Sequence, residues 1–182
     1  RLHEATLELL ADTGVDVRYE PALELFRAAG ASVEGRRVRF PARLVDDAIA
    51  SAPREWLLKP RGGETEPLNL RDGEVFYGTG SDVLYVRDLE SGERRRVRRA
   101  DVEGMAALCE KLPQIDFIMS MGLPEDAPRE IDDLVQVVAM LRGTRKPLLV
   151  APRDGSVLAR MQEMAALCGE KESFAIYAMP SP

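Results

Sequence analysis

Histidine is nearly missing from this sequence. Its 182 residues include one, His3, with two cysteines, Cys109 and Cys168, and a single tryptophan, Trp56. Two distant thiols and one imidazole cannot surround a metal ion, so no metal site is expected. The same scarcity leaves no Ser-His-Asp or Cys-His set, which argues against a hydrolase built on an activated nucleophile. Both cysteines fall in apolar helical patterns, so buried, reduced thiols and a cytoplasmic location are expected rather than a disulfide framework. No apolar run approaches the roughly 18 residues of a membrane span, and no signal peptide is visible. An initiator Met is lacking too, and the sequence closes on a strand pattern with nothing after it to pack against, so a fragment is expected. Positive charge is not in excess. The formal net charge is -6, and nucleic-acid binding needs a clustered basic surface. The dense run Arg94-Arg95-Arg96, with Arg98 and Arg99, is offset by Glu90, Glu93 and Asp101, and reads as a solvated strand end.

What remains is a globular composition, 45% hydrophobic and 31% charged, long enough for a real core. The fold class expected is α/β, with an N-terminal α+β region over 1–98 and alternating strands and helices over 99–182. In the first region, helices are expected at His3–Asp12, Pro21–Ala29 and Pro41–Ser51 from their apolar spacing and glycine or proline boundaries. Ser32–Phe40 reads as a hairpin around Gly35. Trp56–Lys59 is a short strand and Gly62–Asn69 a loop. Val75–Tyr77, Val83–Val86 and a strand near Arg96 make a β-meander.

From Arg99 the rhythm becomes helix, strand, helix, strand. Helices are expected at Asp101–Leu112, Glu130–Leu141 and Ser156–Leu167, strands at Phe117–Met121, Leu148–Ala151 and Phe174–Met179. In the middle helix the apolar face is Ile131, Leu134, Val135, Val138 and Leu141. Strands separated by helices pair in parallel through right-handed crossovers. Met105-Ala106-Ala107-Leu108-Cys109 recurs as Met164-Ala165-Ala166-Leu167-Cys168, each time with a strand soon after. A helix-then-strand unit used twice is the mark of a (β/α) barrel. The expectation is a partial TIM barrel.

Gly78-Thr79-Gly80 invites a dinucleotide-binding reading, which fails. The third glycine of the fingerprint would fall at Val83, and a strand pattern follows where a helix must open. A β-connection with positive φ, or a close approach of backbone to a ligand or another strand, suits these glycines better.

Several segments in order resemble one family. "LHEATLELLADTGVDVRYEPALELFRAAGASVEGRRVRFPARLVDDAIASAP", "VFYGTGSDVLYVRDLESGERRR", "ADVEGMAALCEKLPQIDF" and "TRKPLLV" are similar to the N-terminal region of the trimethylamine methyltransferase (MttB) family. The resemblance implies a TIM barrel with N-terminal additions. It also implies an enzyme that moves a methyl group from a methylated amine to the cobalt of a separate corrinoid protein. Members with pyrrolysine use trimethylamine; members without it are similar to glycine betaine and related quaternary-amine methyltransferases. Family chains are much longer, and their pyrrolysine position lies beyond this sequence. The partner implied is a corrinoid protein, and no cofactor is expected on this chain itself.

A quaternary ammonium has no N–H, so aromatic faces and carboxylates are what can hold it. In a TIM barrel the site lies at the carboxyl ends of the strands. Those ends carry Met119, Met121 and Gly122; Pro152 and Arg153; and Met179, Pro180 and Ser181. Substrate-binding candidates are Tyr77 and Asp82 beside the glycines, Arg153 as partner to a betaine carboxylate, and Tyr177 at the barrel mouth. The bland alternatives are meander packing, turn capping, a loop arginine and a core aromatic. Catalytic residues are not identified. Unpaired sheet edges point to a homo-oligomer or to the ordered part of a longer chain. A non-catalytic binding or assembly module is the competing reading.

Overall fold

A computed structural model describes residues 1–63, 66–168 and 174–176. The fold divides into two compact units, Arg1–Arg54 and Glu55–Pro182. The division falls ahead of residue 99, where the helix–strand alternation begins.

In the first unit, helix α1 spans Leu2–Asp12, β1 Val15–Asp16, α2 Glu20–Ala28, β2 Ser32–Glu34, β3 Arg37–Arg39 and α3 Ala42–Ser51. The strands form an antiparallel sheet in the order β1-β3-β2. Alternation places Val38 inward, and it is fully buried with Leu23 and Ala31 against Val17, Phe26, Val33, Phe40 and Leu44. Phe26 and Phe40 meet edge to face, with centroids 5.0 Å apart, the geometry that ring quadrupoles favour.

The second unit starts with two antiparallel pairs: β4 (Glu55–Leu58) with β5 (Leu68–Arg71), and β6 (Tyr85–Arg87) with β7 (Arg94–Arg96). The end of the segment expected as a loop, Gly62–Asn69, therefore enters a strand. Helix α4 (Arg99–Glu110), β8 (Ile118–Met119), α5 (Asp132–Gly143), β9 (Leu148–Val150), α6 (Gly155–Leu167) and β10 (Phe174–Ile176) follow. β8, β9 and β10 lie side by side in one parallel sheet, in the order β10-β9-β8. The sequence echo maps onto α4 and α6, each followed by a strand of this sheet. Ile118, Leu148 and Val150 are buried with Val102, Ala106, Val137, Met140 and Met161 in the unit's core.

Two charged residues hold the ends of α4. Asp101 accepts the Arg98 backbone N–H at 2.8 Å and takes the Arg95 guanidinium in two bonds of 2.7 and 2.8 Å. Those bonds hold the Asp101 carboxyl below its usual range against the opposing effect of burial. At the other end, the Lys146 ammonium donates to the carbonyls of Cys109, Leu112 and Ile115 at 2.8, 2.6 and 2.5 Å. A cation at a helix C-terminus satisfies carbonyls that lack intrahelical partners. The basic run is locally neutralised, as expected, but Asp88 and Glu125 act with Asp101, not Glu90 and Glu93. Arg94 and Arg96 also cover the Tyr85 ring, 3.8 and 4.5 Å from its centroid.

Three expectations are corrected. Cys168 is exposed, while Cys109 is buried. The apolar face read for α5 is not its most buried one: Ile131 and Val138 are exposed, and Asp132, Asp133, Gln136, Val137, Ala139 and Met140 are buried. The β-meander is a two-stranded hairpin, β6–β7, because Val75–Tyr77 forms no strand and the chain that follows pairs elsewhere.

Candidate functional site

That pairing answers what the glycine stretch is for. Residues 78–83 run parallel to residues 117–122 along the free side of β8, with bridges Gly78↔Phe117 and Val83↔Gly122. The Asp116 N–H donates to the Tyr77 carbonyl at 2.6 Å, and the Asp82 N–H to the Ser120 carbonyl at 2.6 Å. Between them the Thr79 hydroxyl stands in for backbone, accepting from Met119 N at 2.9 Å and lying 3.4 Å from Met119 O. One edge of the parallel sheet is thereby covered, which removes one of the two open edges expected. A Cβ on Gly78 would lie 2.2 Å from the Phe117 ring, so the ring sits where any side chain would be. This is the close strand approach that glycine permits.

Replacing Thr79 with valine is expected to cost about 1–2 kcal/mol, because the Met119 N–H and C=O each lose a partner away from bulk water. Thr79→Ser keeps the hydroxyl and should recover most of that loss. Urea denaturation of the three proteins checks it.

At the carboxyl end of β8 the covering segment kinks at Asp82, whose φ of 49° is in the left-handed region, before Val83 pairs with Gly122. An aspartate tolerates this better than most residues. Asp82 is half-buried, and its carboxylate lies 3.5 Å from the Gln136 amide of α5. One turn back on the same face is Asp133. Asp132 and Asp133 form the first turn of α5, where the helix dipole favours negative charge. Both are buried, Asp133 to 6% exposure.

From the loop after β9, Arg153 pairs with Asp132, approaches Asp133 at 3.3 Å and donates to the Arg129 carbonyl at 2.6 Å. Burial pushes the Asp133 carboxyl up; the Arg153 charge opposes this, and Asp132 and Asp82 add to it. Burial likewise raises Asp82, opposed by Gln136. Asp133 Oδ2 is buried and accepts no hydrogen bond.

The structure therefore gathers two of the candidates, Asp82 and Arg153, around Asp133 at the carboxyl ends of parallel strands. Tyr77 is not with them. It sits at the opposite end of the covering segment, its N–H bonded to the Asp116 carboxylate at 2.7 Å and its side chain exposed. Tyr177, with Met179, Pro180 and Ser181, lies outside the described residues. Two hollows in this unit lie elsewhere. One, of about 360 Å³, is lined by Pro60, Leu68, Glu110, Ile115 and Lys146 at the amino ends of the strands. The other, of about 620 Å³, lies against Val150, Met161, Phe174 and Ile176. Among the described residues no group of acidic, histidine or cysteine side chains is arranged to hold a metal ion, and no helix is long and apolar enough to cross a membrane.

Residues 1–179 match the family model described as trimethylamine methyltransferase (MTTB). The chain belongs to the trimethylamine methyltransferase family. It is 32% identical over 148 residues to a glycine betaine methyltransferase of Desulfitobacterium hafniense strain Y51, covering 80% of this chain and 30% of that protein. It is 28% identical over 169 residues to the trimethylamine methyltransferase MttB of D. hafniense strain DCB-2, covering 91% and 34%. A proline betaine:corrinoid methyltransferase of Eubacterium limosum is 29% identical over 149 residues, covering 80% and 30%. The chain thus spans about a third of the length of the curated relatives it matches.

For this member of the trimethylamine methyltransferase family, sequence reasoning missed Asp132, Asp133 and Gln136. The apolar residues of α5 pointed to a different face, which hid the polar one. The available signal was a pair of acids opening a helix directly after a parallel strand and its loop, the position where α/β folds place ligands.

Proposed function

We propose that this chain is part of an enzyme transferring a methyl group from a tertiary or quaternary methylated amine to the cobalt of a corrinoid protein. The observation that carries it is the gathering of Asp82, Asp133 and Arg153 at the carboxyl ends of β8 and β9 in a chain of this family. The alternation from residue 99 onward, with three parallel strands in sequential order, supports the start of a (β/α) barrel there, preceded by the α+β region over 1–98.

The separate corrinoid protein supplies the nucleophile, and the amine leaves with the C–N electron pair. No protein nucleophile is needed, in keeping with the scarcity of histidine and cysteine. The work left to this chain is to bind the amine, orient one methyl group outward and exclude water. Relatives named for glycine betaine, proline betaine and trimethylamine frame the substrate class. The cytoplasm, which keeps thiols such as Cys109 reduced, is the compartment we assign, and a homo-oligomer is the assembly.

The test uses the full-length protein that contains this chain, with a reduced corrinoid protein and a panel of methylated amines. Methylation read from the corrinoid's absorbance supports the assignment and removes the assembly-module reading. No transfer and no binding by calorimetry across the panel sinks it.

A further inference from the structure

At the carboxyl ends of β8 and β9, Asp132 and Asp133 meet one guanidinium, that of Arg153, and a third carboxylate, Asp82, lies close enough to act on Asp133. That guanidinium is committed. Its NH1 group donates to the Arg129 carbonyl and its NH2 group to Asp132 and Asp133. Arg153 also feels Asp154, whose carboxylate is occupied by Ser156 and Val157 of α6. The cluster therefore keeps an excess of negative charge. Its innermost unpaired atom is Asp133 Oδ2, on a residue 6% exposed. A buried carboxylate oxygen without a donor is costly unless a partner arrives.

We propose that Asp133, with Asp82 beside it, is the carboxylate wall that receives the positively charged nitrogen of the substrate. The inference rests on the methyl-transfer reading and deepens it. The quaternary nitrogen of a betaine supplies charge but no N–H. It needs a negatively charged surface rather than a fixed set of acceptors, and its polarised C–H groups make only weak hydrogen bonds. A betaine would then bind with its ammonium toward Asp133 and its carboxylate away from it. Arg153 acts through the acids as a positioning residue and does not grip the betaine carboxylate.

The discriminating pair of ligands is glycine betaine and 3,3-dimethylbutanoate, which has the same shape with carbon in place of nitrogen. Binding of both to the full-length protein and its variants is measured by calorimetry. Wild type prefers the betaine. In Asp133→Asn that preference falls about tenfold or more, as expected for the loss of one charge contact in a partly dry site. Binding of 3,3-dimethylbutanoate, whose tert-butyl group brings no positive charge to Asp133, does not weaken, and the melting temperature does not fall. Asp82→Asn, at the half-exposed neighbour, shows a smaller loss in the same direction and keeps the test open should the variant at 133 fail to fold. An unchanged preference in these variants overturns the inference while leaving methyl transfer standing. So does an equal loss of both ligands with a lower melting temperature, which marks a purely structural role. If wild type binds no methylated amine at all, the functional reading falls and this inference with it.

Discussion

Gly143→Val is expected to destabilise the second unit by about 3 kcal/mol, the upper range for overpacking a closed contact. For a chain of this size that lowers the melting temperature by about 6–12 °C. Gly143 is the last residue of α5, where it lies against α4. A Cβ there would sit 2.6 Å from the Glu103 carbonyl oxygen, 2.7 Å from the Ala106 Cβ and 2.9 Å from the Ala107 nitrogen. Two of these are backbone atoms within a helix and cannot swing aside. Accommodation therefore means moving α5 off α4, and with it Val137 and Met140 out of the core. Gly104→Ala, within α4, is the control. Nothing lies within 4 Å of a Cβ at that position, and removing a helix-interior glycine is worth about 0.5–1 kcal/mol of added stability. Thermal unfolding followed by circular dichroism should show opposite signs for the two. A Gly143→Val protein melting with the wild type would mean that α4 and α5 do not touch here.

The second large effect is at Arg153. Arg153→Met removes the charge that faces Asp132 and Asp133 and leaves two buried carboxylates without compensation. Breaking a buried pair this way costs about 3–5 kcal/mol; because the Arg153 side chain is 45% exposed, solvent screens part of that and about 2–3 kcal/mol is expected. The pH dependence separates this from simple loss of packing. Burial already holds the Asp133 carboxyl above its ordinary value with the guanidinium in place, and without it the value rises further. A carboxyl raised in the folded state binds its proton more tightly there than when unfolded. Its ionisation therefore opposes folding above the raised pKa, and that penalty disappears as pH falls through it. The stability gap between wild type and variant should be widest at neutral pH and narrow toward about pH 4, the ordinary carboxylate range. Urea denaturation at both pH values measures it. A gap that does not change with pH would assign the loss to packing alone.

Much of the scaffold was legible in the residues. The apolar spacing of α1 to α4 and α6 located those helices to within a residue or two, because an amphipathic helix must bury one stripe. The apolar runs read as strands at Leu148–Ala151 and Phe174–Met179 contain β9 and, among the described residues, β10; Leu148 and Val150 are buried, as suits a strand of a parallel sheet. The hairpin around Gly35 was readable from local turn chemistry. A close approach was one of two readings of the glycines at 78 and 80, and it holds at Gly78, against Phe117, but not at Gly80, where nothing lies within 4 Å of a Cβ. Thr79, whose hydroxyl completes the pairing with Met119, gave no local sign, because the partner lies 40 residues on.

The candidate site was legible in part. Reading outward from strand ends found Arg153, and reading beside the glycines found Asp82. Tyr77 was grouped with Asp82 on proximity in sequence, yet an extended segment of five residues separates its ends by about 16 Å, and they lie at opposite ends of β8. Asp133 was hidden because α5 carries apolar residues on both sides, and periodicity alone cannot say which side meets the core.

The sequence by itself determined the element types, the parallel α/β character of the second half and the family, since each is written in local spacing and ordered segments. Tertiary structure alone decided which face of α5 turns inward, that the glycine segment seals the edge of β8, and that Asp82 and Arg153 converge on Asp133. Those outcomes depend on contacts between residues 20 to 54 positions apart. Side-chain packing and desolvation choose among such contacts only when the whole chain has closed.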